Sequence, residues 1–323
     1  MTTLYLAVPC YNEEEVLYDT TEKLLLKMES LIHSGKISHN SRILYIDDGS
    51  KDKTWQIICD LHARFHLVAG CKLSRNRGHQ NALYGGLMTA KEHADVVISI
   101  DADLQDDIDA IDRMLEQYEA GYDIVYGVRS KRRTDTFFKR VTAEGFYKFL
   151  KFMGAEVVFN HADYRLMSKR ALDAFAEYKE VNLFLRGLVP MIGFKTATVA
   201  YERRERLAGK SKYPLKKMLS LAWEGVTSLS IKPIRFVTIL GALVFAVSII
   251  LLIYSLFSHF WGNTVPGWTS LAVSIWAIGG LQLLAIGIIG EYLGKVYMET
   301  KQRPRYFIET FLNHEPKTED RSL

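Results

Sequence analysis

Residues 98–107 run Ile98-Ser99-Ile100-Asp101-Ala102-Asp103-Leu104-Gln105-Asp106-Asp107, an apolar strand ending in two carboxylates spaced i, i+2 with a glutamine two further on. Mg²⁺ and Mn²⁺ favour oxygen donors, and Mg²⁺ is held by one or two protein carboxylates while substrate phosphates and water complete its octahedron. Asp101, Asp103 and Gln105 are therefore candidate ligands for Mg²⁺ or Mn²⁺ carrying a nucleoside diphosphate. A lone pair of this spacing is more often an acidic loop in water, so its companions decide the reading.

Three further polar clusters follow apolar runs: Pro9-Cys10-Tyr11-Asn12-Glu13-Glu14, Asp47-Asp48-Gly49-Ser50-Lys51-Asp52 and Ser74-Arg75-Asn76-Arg77-Gly78-His79. The strand-like runs, residues 4–8, 43–46, 68–73, 96–100 and 124–128, alternate with helical patterns over 14–30 and from about 54, 79 and 107. Such alternation predicts an α/β fold with a mostly parallel sheet, whose ligands bind at the carboxyl ends of the strands. All four clusters fall at those ends. Asn12 is expected to cap the first helix, and Ser50 with Asp52 the second. Asp47 is expected to accept hydrogen bonds from a base or ribose. No G-x-G-x-x-G follows the first strand, which argues against a dinucleotide.

The 323 residues carry a net charge of +4, unevenly spread. Residues 236–290, 55 in all, contain no Asp, Glu, Lys or Arg. A span needs about 20 mostly apolar residues, so the stretch holds two, 235–257 and 269–294, joined by a loop at 258–268 with interfacial Trp261 and Trp268. Lys210, Lys212, Lys216, Lys217, Lys232 and Arg235 precede the first span, and Lys295, Lys301, Arg303 and Arg305 follow the second, whereas the loop has no Lys or Arg. The positive-inside rule then puts both termini in the cytosol of a multi-pass membrane protein. No charged region followed by an apolar one opens the chain, so no signal peptide is expected to export residues 1–230. Residues 1–212 form the catalytic domain of this scheme, 213–234 an amphipathic segment on the cytosolic leaflet or against that domain, and 295–323 a basic tail. The basic excess near the spans points to an anionic lipid surface as partner and away from nucleic acid. Cys10, Cys59 and Cys71 read as free thiols.

Together the four clusters resemble the GT-A glycosyltransferases of family 2. More narrowly, the chain is similar to the polyprenyl-phosphate glycosyltransferases, the group of dolichyl-phosphate mannose synthase and the bactoprenol glucosyltransferases, over nearly its whole length. The resemblance implies a Rossmann-like GT-A nucleotide-sugar domain followed by interfacial helices and two spans. It assigns Pro9, Tyr11, Glu13, Asp47 and Ala102 to the nucleotide pocket, and Asp101, Asp103 and Gln105 to the metal and diphosphate. Asp163, in Asp163-Tyr164-Arg165-Leu166, falls near the reacting centre. Arg129, Lys139 and Arg140 fall in an acceptor loop, and Arg206 and Lys212 in a basic motif near the phosphates. Two departures adjoin the donor site: the usual Asn-Phe-Gly-Lys is Asn76-Arg77-Gly78-His79, and the usual Gln-Asp/His-Pro is Gln105-Asp106-Asp107.

What the resemblance implies is inverting transfer of one hexose or N-acetylhexosamine from a UDP-sugar, ahead of a GDP-sugar, to undecaprenyl phosphate at the cytosolic face of a bacterial membrane. The lipid-linked sugar would serve cell-envelope glycans. A phosphate monoester has its second pKa near 6 and is already a nucleophile at neutral pH. Asp163 is accordingly expected to orient the acceptor or a basic side chain ahead of abstracting a proton. Arg129, Arg140, Arg206 and Lys212 are expected to hold two anionic reactants together. The run Lys131, Arg132, Arg133 reads equally as solvated or as facing lipid headgroups. Gly279, Gly280, Gly287, Gly290 and Gly294 form a small-residue face that would suit a homo-oligomer. A processive polysaccharide synthase would carry Gln-x-x-Arg-Trp, which Gln302-Arg303-Pro304-Arg305-Tyr306 does not supply. A catalytically inactive membrane scaffold is the remaining alternative, against which the intact acidic and basic residues argue.

Overall fold

A computed structural model describes residues 1–129, 161–181, 183–202, 234–241, five positions between 243 and 253, and 267–314. In chain order its elements are β1 (Leu4–Cys10), α1 (Leu17–His33), β2 (Arg42–Asp47), α2 (Thr54–Arg64), β3 (Val68–Leu73), α3 (His79–Ala90), β4 (Val96–Ser99), α4 (Ala110–Glu119) and β5 (Ile124–Arg129). Then come β6 (His161–Ser168), α5 (Lys169–Ala176), α6 (Leu185–Met191), β7 (Thr196–Tyr201), α7 (Trp268–Lys301) and β8 (Ile308–Leu312).

The strands form one sheet in the order β7-β5-β6-β4-β1-β2-β3-β8. β1 pairs in parallel with β2 and β4, and β2 with β3, as the strand–helix alternation predicts. The sheet is mixed, however: β6 runs antiparallel between β4 and β5, and β8 antiparallel along β3. Every residue of β1 and β2 is buried, as in parallel strands covered on both faces. α1 covers this core with Leu17, Leu24, Leu25, Met28 and Leu31, a helically spaced apolar stripe. Each such side chain contributes about 1.5–3 kcal/mol by its burial.

Pro9 lies inside a central strand without disturbing the ladder. β4 pairs β1 only as far as Ala7 opposite Ser99, so β4 makes no demand on the N–H that proline lacks.

Two expected caps are corrected. α1 begins at Leu17, not Glu14, and neither α1 nor α2 has a side-chain cap of the N-cap type. The polar residues instead lace the two loops together. Ser50 Oγ accepts from the Asn12 N–H at 3.0 Å, and Asn12 Oδ1 accepts from the Lys51 N–H at 2.9 Å. Thr54 Oγ1 accepts from the Glu13 N–H at 2.9 Å. Asp52 divides its carboxylate between the N–H groups of Glu14 (3.2 Å) and Thr54 (3.0 Å).

The chain divides into two compact units. The first is discontinuous: Met1–Glu144, Val157–Lys212 and Gln302–Leu323. Its last piece returns as β8, a strand that nothing in the 295–323 tail announces in sequence. Tyr306 packs on α3, where a Cβ at Gly85 would come within 3.2 Å of its ring. The Arg305 guanidinium lies 4.5 Å from the centre of the Tyr84 ring and donates to the Tyr178 carbonyl at 2.5 Å. His314 stacks on His62 at 4.0 Å.

The second unit comprises Gly145–Glu156 and Tyr213–Lys301. Within α7, Ile278–Lys301 is long and apolar enough to cross a membrane, and it is the one such helix among the described residues. Residues 235–257, expected as the other span, are helical at 234–241 and lie for the most part outside the described residues, as does 213–233. Cys10 and Cys71 are buried free thiols and Cys59 a half-buried one.

Candidate functional site

The carboxyl ends of β1, β2 and β4 open on one side of the sheet, and the loops after them carry the predicted residues. Asp47 ends β2 fully buried. Its Oδ1 accepts from the Ser50 N–H at 3.2 Å, while Oδ2 is buried with no hydrogen-bond partner. Burial raises its pKa. An orphaned acceptor at a strand terminus is what a ligand's N–H or O–H would complete.

Asp48 has a different task. Its two oxygens accept from the N–H groups of Arg77 (2.7 Å) and Gly78 (2.9 Å), tying down the loop that leads into α3. Gly49 makes the approach possible: its φ is +66°, and a Cβ there would lie 2.5 Å from the Asn76 nitrogen.

So anchored, α3 presents its first residue, His79, to the loop after β4. His79 Nε2 stands 4.0 Å from Asp101 Oδ1 and 3.7 Å from Asp163 Oδ2. The His79 and Asp101 side chains are each 43% exposed, so the corner is open to a ligand. Burial alone would lower the His79 pKa, but Asp163 and Asp101 outweigh it and raise it. The Asp101 carboxyl is pushed up to about 6 by desolvation, with Asp106, Asp163 and Asp103 adding repulsion that His79 only partly offsets.

Asp163, on β6, is the opposite case. Arg165 NH2 donates to Oδ1 at 2.7 Å, and Arg186 donates Nε to Oδ1 at 3.3 Å and NH2 to Oδ2 at 3.1 Å. Burial opposes its ionisation, yet Arg186, His79 and Arg165 together hold it well below the usual carboxylate range. β6 is fixed here by Ser99 on β4, whose Oγ donates to the Asp163 carbonyl.

The acidic loop is held from below. Thr20 of α1 donates to the Ala102 carbonyl at 2.6 Å, and Leu104 turns the chain at φ +44°. Asp103 Oδ1 accepts from the Gln105 N–H at 3.3 Å, and Gln105 is itself buried. Asp106 is buried under Tyr201, which donates to it at 2.5 Å, and Arg129, whose NH2 lies at 3.4 Å. Arg129 Nε also donates to Tyr201 Oη at 3.3 Å. Asp106 and burial set the two pKa values: burial and the carboxylate raise Tyr201, and for Arg129 the carboxylate outweighs burial.

Asp101, Asp103 and Asp163 thus meet at one corner with Asp106 behind them, while Pro9 and Asp47 are buried at the ends of β1 and β2 and Tyr11 is exposed on the loop beyond. Arg140, Arg206 and Lys212 lie outside the described residues. Sequence reading missed Arg186, Arg165 and Tyr201 as members of the site, and saw in His79 only a departure from pattern. Arg165 had a signal, its i, i+2 spacing from Asp163 on a strand, which puts both side chains on one face. Arg186 had none.

The donor set was tested for a metal by its chemistry. Among the described residues no three His, Cys, Asp or Glu side chains are grouped to hold an ion by themselves. Two carboxylates at an exposed corner, one of them destabilised by its acidic neighbours, fit a cation that takes its remaining oxygens from a phosphate.

A mixed sheet with a carboxylate-lined crevice at the ends of its parallel strands makes this a GT-A-like α/β protein. The profile described as Glycosyl transferase family 2 matches residues 5–175. An uncharacterised glycosyltransferase of Bacillus subtilis, YkoT, is 53% identical over 97% of this chain and 93% of its own length. The prophage bactoprenol glucosyl transferase homolog of Escherichia coli is 41% identical over 94% of this chain and 97% of its own. The bactoprenol glucosyl transferase of Shigella phage SfX is 40% identical over 94% and 98% respectively. Among solved structures, glucosyl-3-phosphoglycerate synthase from Mycobacterium tuberculosis aligns at TM-score 0.45 and 17% identity, over 71% of this chain and 78% of that one. The chain belongs to glycosyl transferase family 2, and the resemblance seen in its motifs is borne out.

Proposed function

We propose that the protein transfers a single sugar from a UDP-sugar to a polyprenyl phosphate, undecaprenyl phosphate foremost, with inversion, at the cytosolic face of the bacterial membrane. The observation that carries this reading is the joining, on one chain, of the Asp101–His79–Asp163–Arg186 corner to an apolar helix of membrane-crossing length. The names borne by the phage and prophage relatives support the lipid acceptor. Two spans, with both termini cytosolic, belong to this reading, as does a homo-oligomer formed on the α7 glycine face, around which a Cβ would meet nothing within 4 Å.

In this scheme the orphaned Asp47 Oδ2 accepts from the uracil or ribose. Asp101 and Asp103, with Gln105, hold Mg²⁺ or Mn²⁺, which offsets charge on the departing diphosphate. A phosphate oxygen of the lipid forms the new bond to the anomeric carbon as the bond to the diphosphate breaks, the electron pair leaving with UDP. The dianionic acceptor needs no base. Asp163, ionised and clamped by Arg165 and Arg186, serves as the hub that aims Arg186 and His79 at the reactants. Arg129 is engaged with Asp106 and Tyr201, so it supports the acidic loop as well as any acceptor. Arg140, Arg206 and Lys212 would supply the positive charge that two anions require.

Purified protein with undecaprenyl phosphate, Mg²⁺ or Mn²⁺ and a panel of UDP- and GDP-sugars is expected to give one sugar per lipid by mass spectrometry, lost in Asp103→Ala. Long polymer would mean a processive synthase. No product from any donor would overturn the reading.

A further inference from the structure

We propose that His79 competes with the divalent cation for Asp101, so that metal binds tightly only in company with the nucleotide. The proposal rests on the reading of Asp101 as a metal ligand.

His79 is not free to drift. Asp48 pins the two residues before it, and Asn81 Nδ2 donates to the Arg77 carbonyl at 2.8 Å. α3 is pressed onto β2 so closely that a Cβ at Gly86 would come within 2.4 Å of Ile46. The imidazole is therefore delivered to Asp101 by the scaffold, independently of any ligand.

Its contacts, at 4.0 and 3.7 Å, exceed hydrogen-bond length and are charge contacts that a stronger cation can displace. The two carboxylates are unequally served. Asp163 has Arg165 and Arg186 besides His79, whereas among the described residues His79 is the sole basic side chain within ion-pair range of Asp101. Asp101 is thus where a divalent ion gains most, and it is also where His79 stands. An ion on the same carboxylate oxygen brings like charge against the ring. One or two carboxylates hold such an ion weakly unaided, and phosphate oxygens supply what is missing. The diphosphate thus both completes the metal's ligands and offers the displaced imidazole a new anion. Binding of metal and nucleotide becomes mutually favourable through a single side chain.

Mn²⁺ titrations of the full-length protein in detergent, read by the electron paramagnetic resonance of free Mn²⁺ with and without UDP, test this without turnover. In His79→Ala, Mn²⁺ alone is expected to bind about tenfold tighter, the effect of one partly screened charge contact. The tightening by UDP should shrink by a similar factor. His79→Lys, which keeps a cation at the corner, should bind Mn²⁺ no better than the unmodified protein. Unchanged or weaker Mn²⁺ binding in His79→Ala overturns the proposal, the weaker case making the ring a ligand. Asp101→Asn separates the two readings: if it keeps full Mn²⁺ affinity, Asp101 is not a ligand and the metal reading itself fails.

Discussion

Asp163 shows how surroundings choose a side chain's role. A carboxylate gripped by Arg186 through two parallel contacts and by Arg165 through a third is a poor proton acceptor. Asp163→Asn is therefore expected to lower kcat/KM by a constant factor, on the order of a hundredfold, across pH 6–9. Near-normal rates at alkaline pH with collapse at low pH would instead make Asp163 the base. The same grip fixes a sign for stability. Because the folded-state pKa lies below the unfolded one, the ion pairs contribute fully at neutral pH and are lost only as pH falls below the usual carboxylate range. Arg186→Lys retains the charge but not the fork, and is expected to cost about tenfold in kcat, measured with the same lipid-phosphate assay. Asp101 and Asp103 were legible in sequence because i, i+2 spacing after a strand is local. Arg186 was not, since it reaches Asp163 from a helix 23 residues away through tertiary packing alone.

At the scale of elements, the strand ends carry the design. The positions of β1 to β5 and the helices between them were legible to within a few residues, because apolar runs alternate cleanly with helical patterns. What the pattern could not show was the use made of the polar loop residues. Asn12, Ser50 and Asp52 have good capping chemistry, yet the neighbouring loop offers competing backbone N–H groups, and these win. Asp47 and Asp48 likewise look alike in sequence and differ in the fold, one with an orphaned oxygen, the other with both satisfied. Asp48→Ala would strand two N–H groups and is expected to destabilise by about 1–3 kcal/mol, measurable by urea denaturation. Gly49→Ala combines positive φ with a backbone clash and should weaken UDP binding as the loop before α3 is pushed away, a change isothermal calorimetry would register. Undiminished UDP affinity in that variant would detach the loop from the donor site.

At the scale of the molecule, β8 is the feature the sequence concealed: five residues with mixed polarity inside a tail that reads as merely basic. Tyr306, Arg305, Phe311 and His314 fix it to α3, β3 and α2, and Lys72 pairs with Glu309 at 3.2 Å. A chain ending at Lys301 is expected to melt about 5 °C lower or more, given about 1.5–3 kcal/mol for each large side chain unburied. An unchanged melting temperature would reduce β8 to an ornament.

The position of β8 after α7 also sets an order on the ribosome. A growing chain emerges amino end first, and domains generally fold as units in that direction. Here seven strands of the sheet are synthesised before α7, and the eighth only after it. Until then β3 offers an unpaired edge, the kind of surface that recruits stray strands. The nascent enzyme thus completes its catalytic sheet only once its apolar helix has been made, and insertion into the bilayer has a head start on the last step of folding.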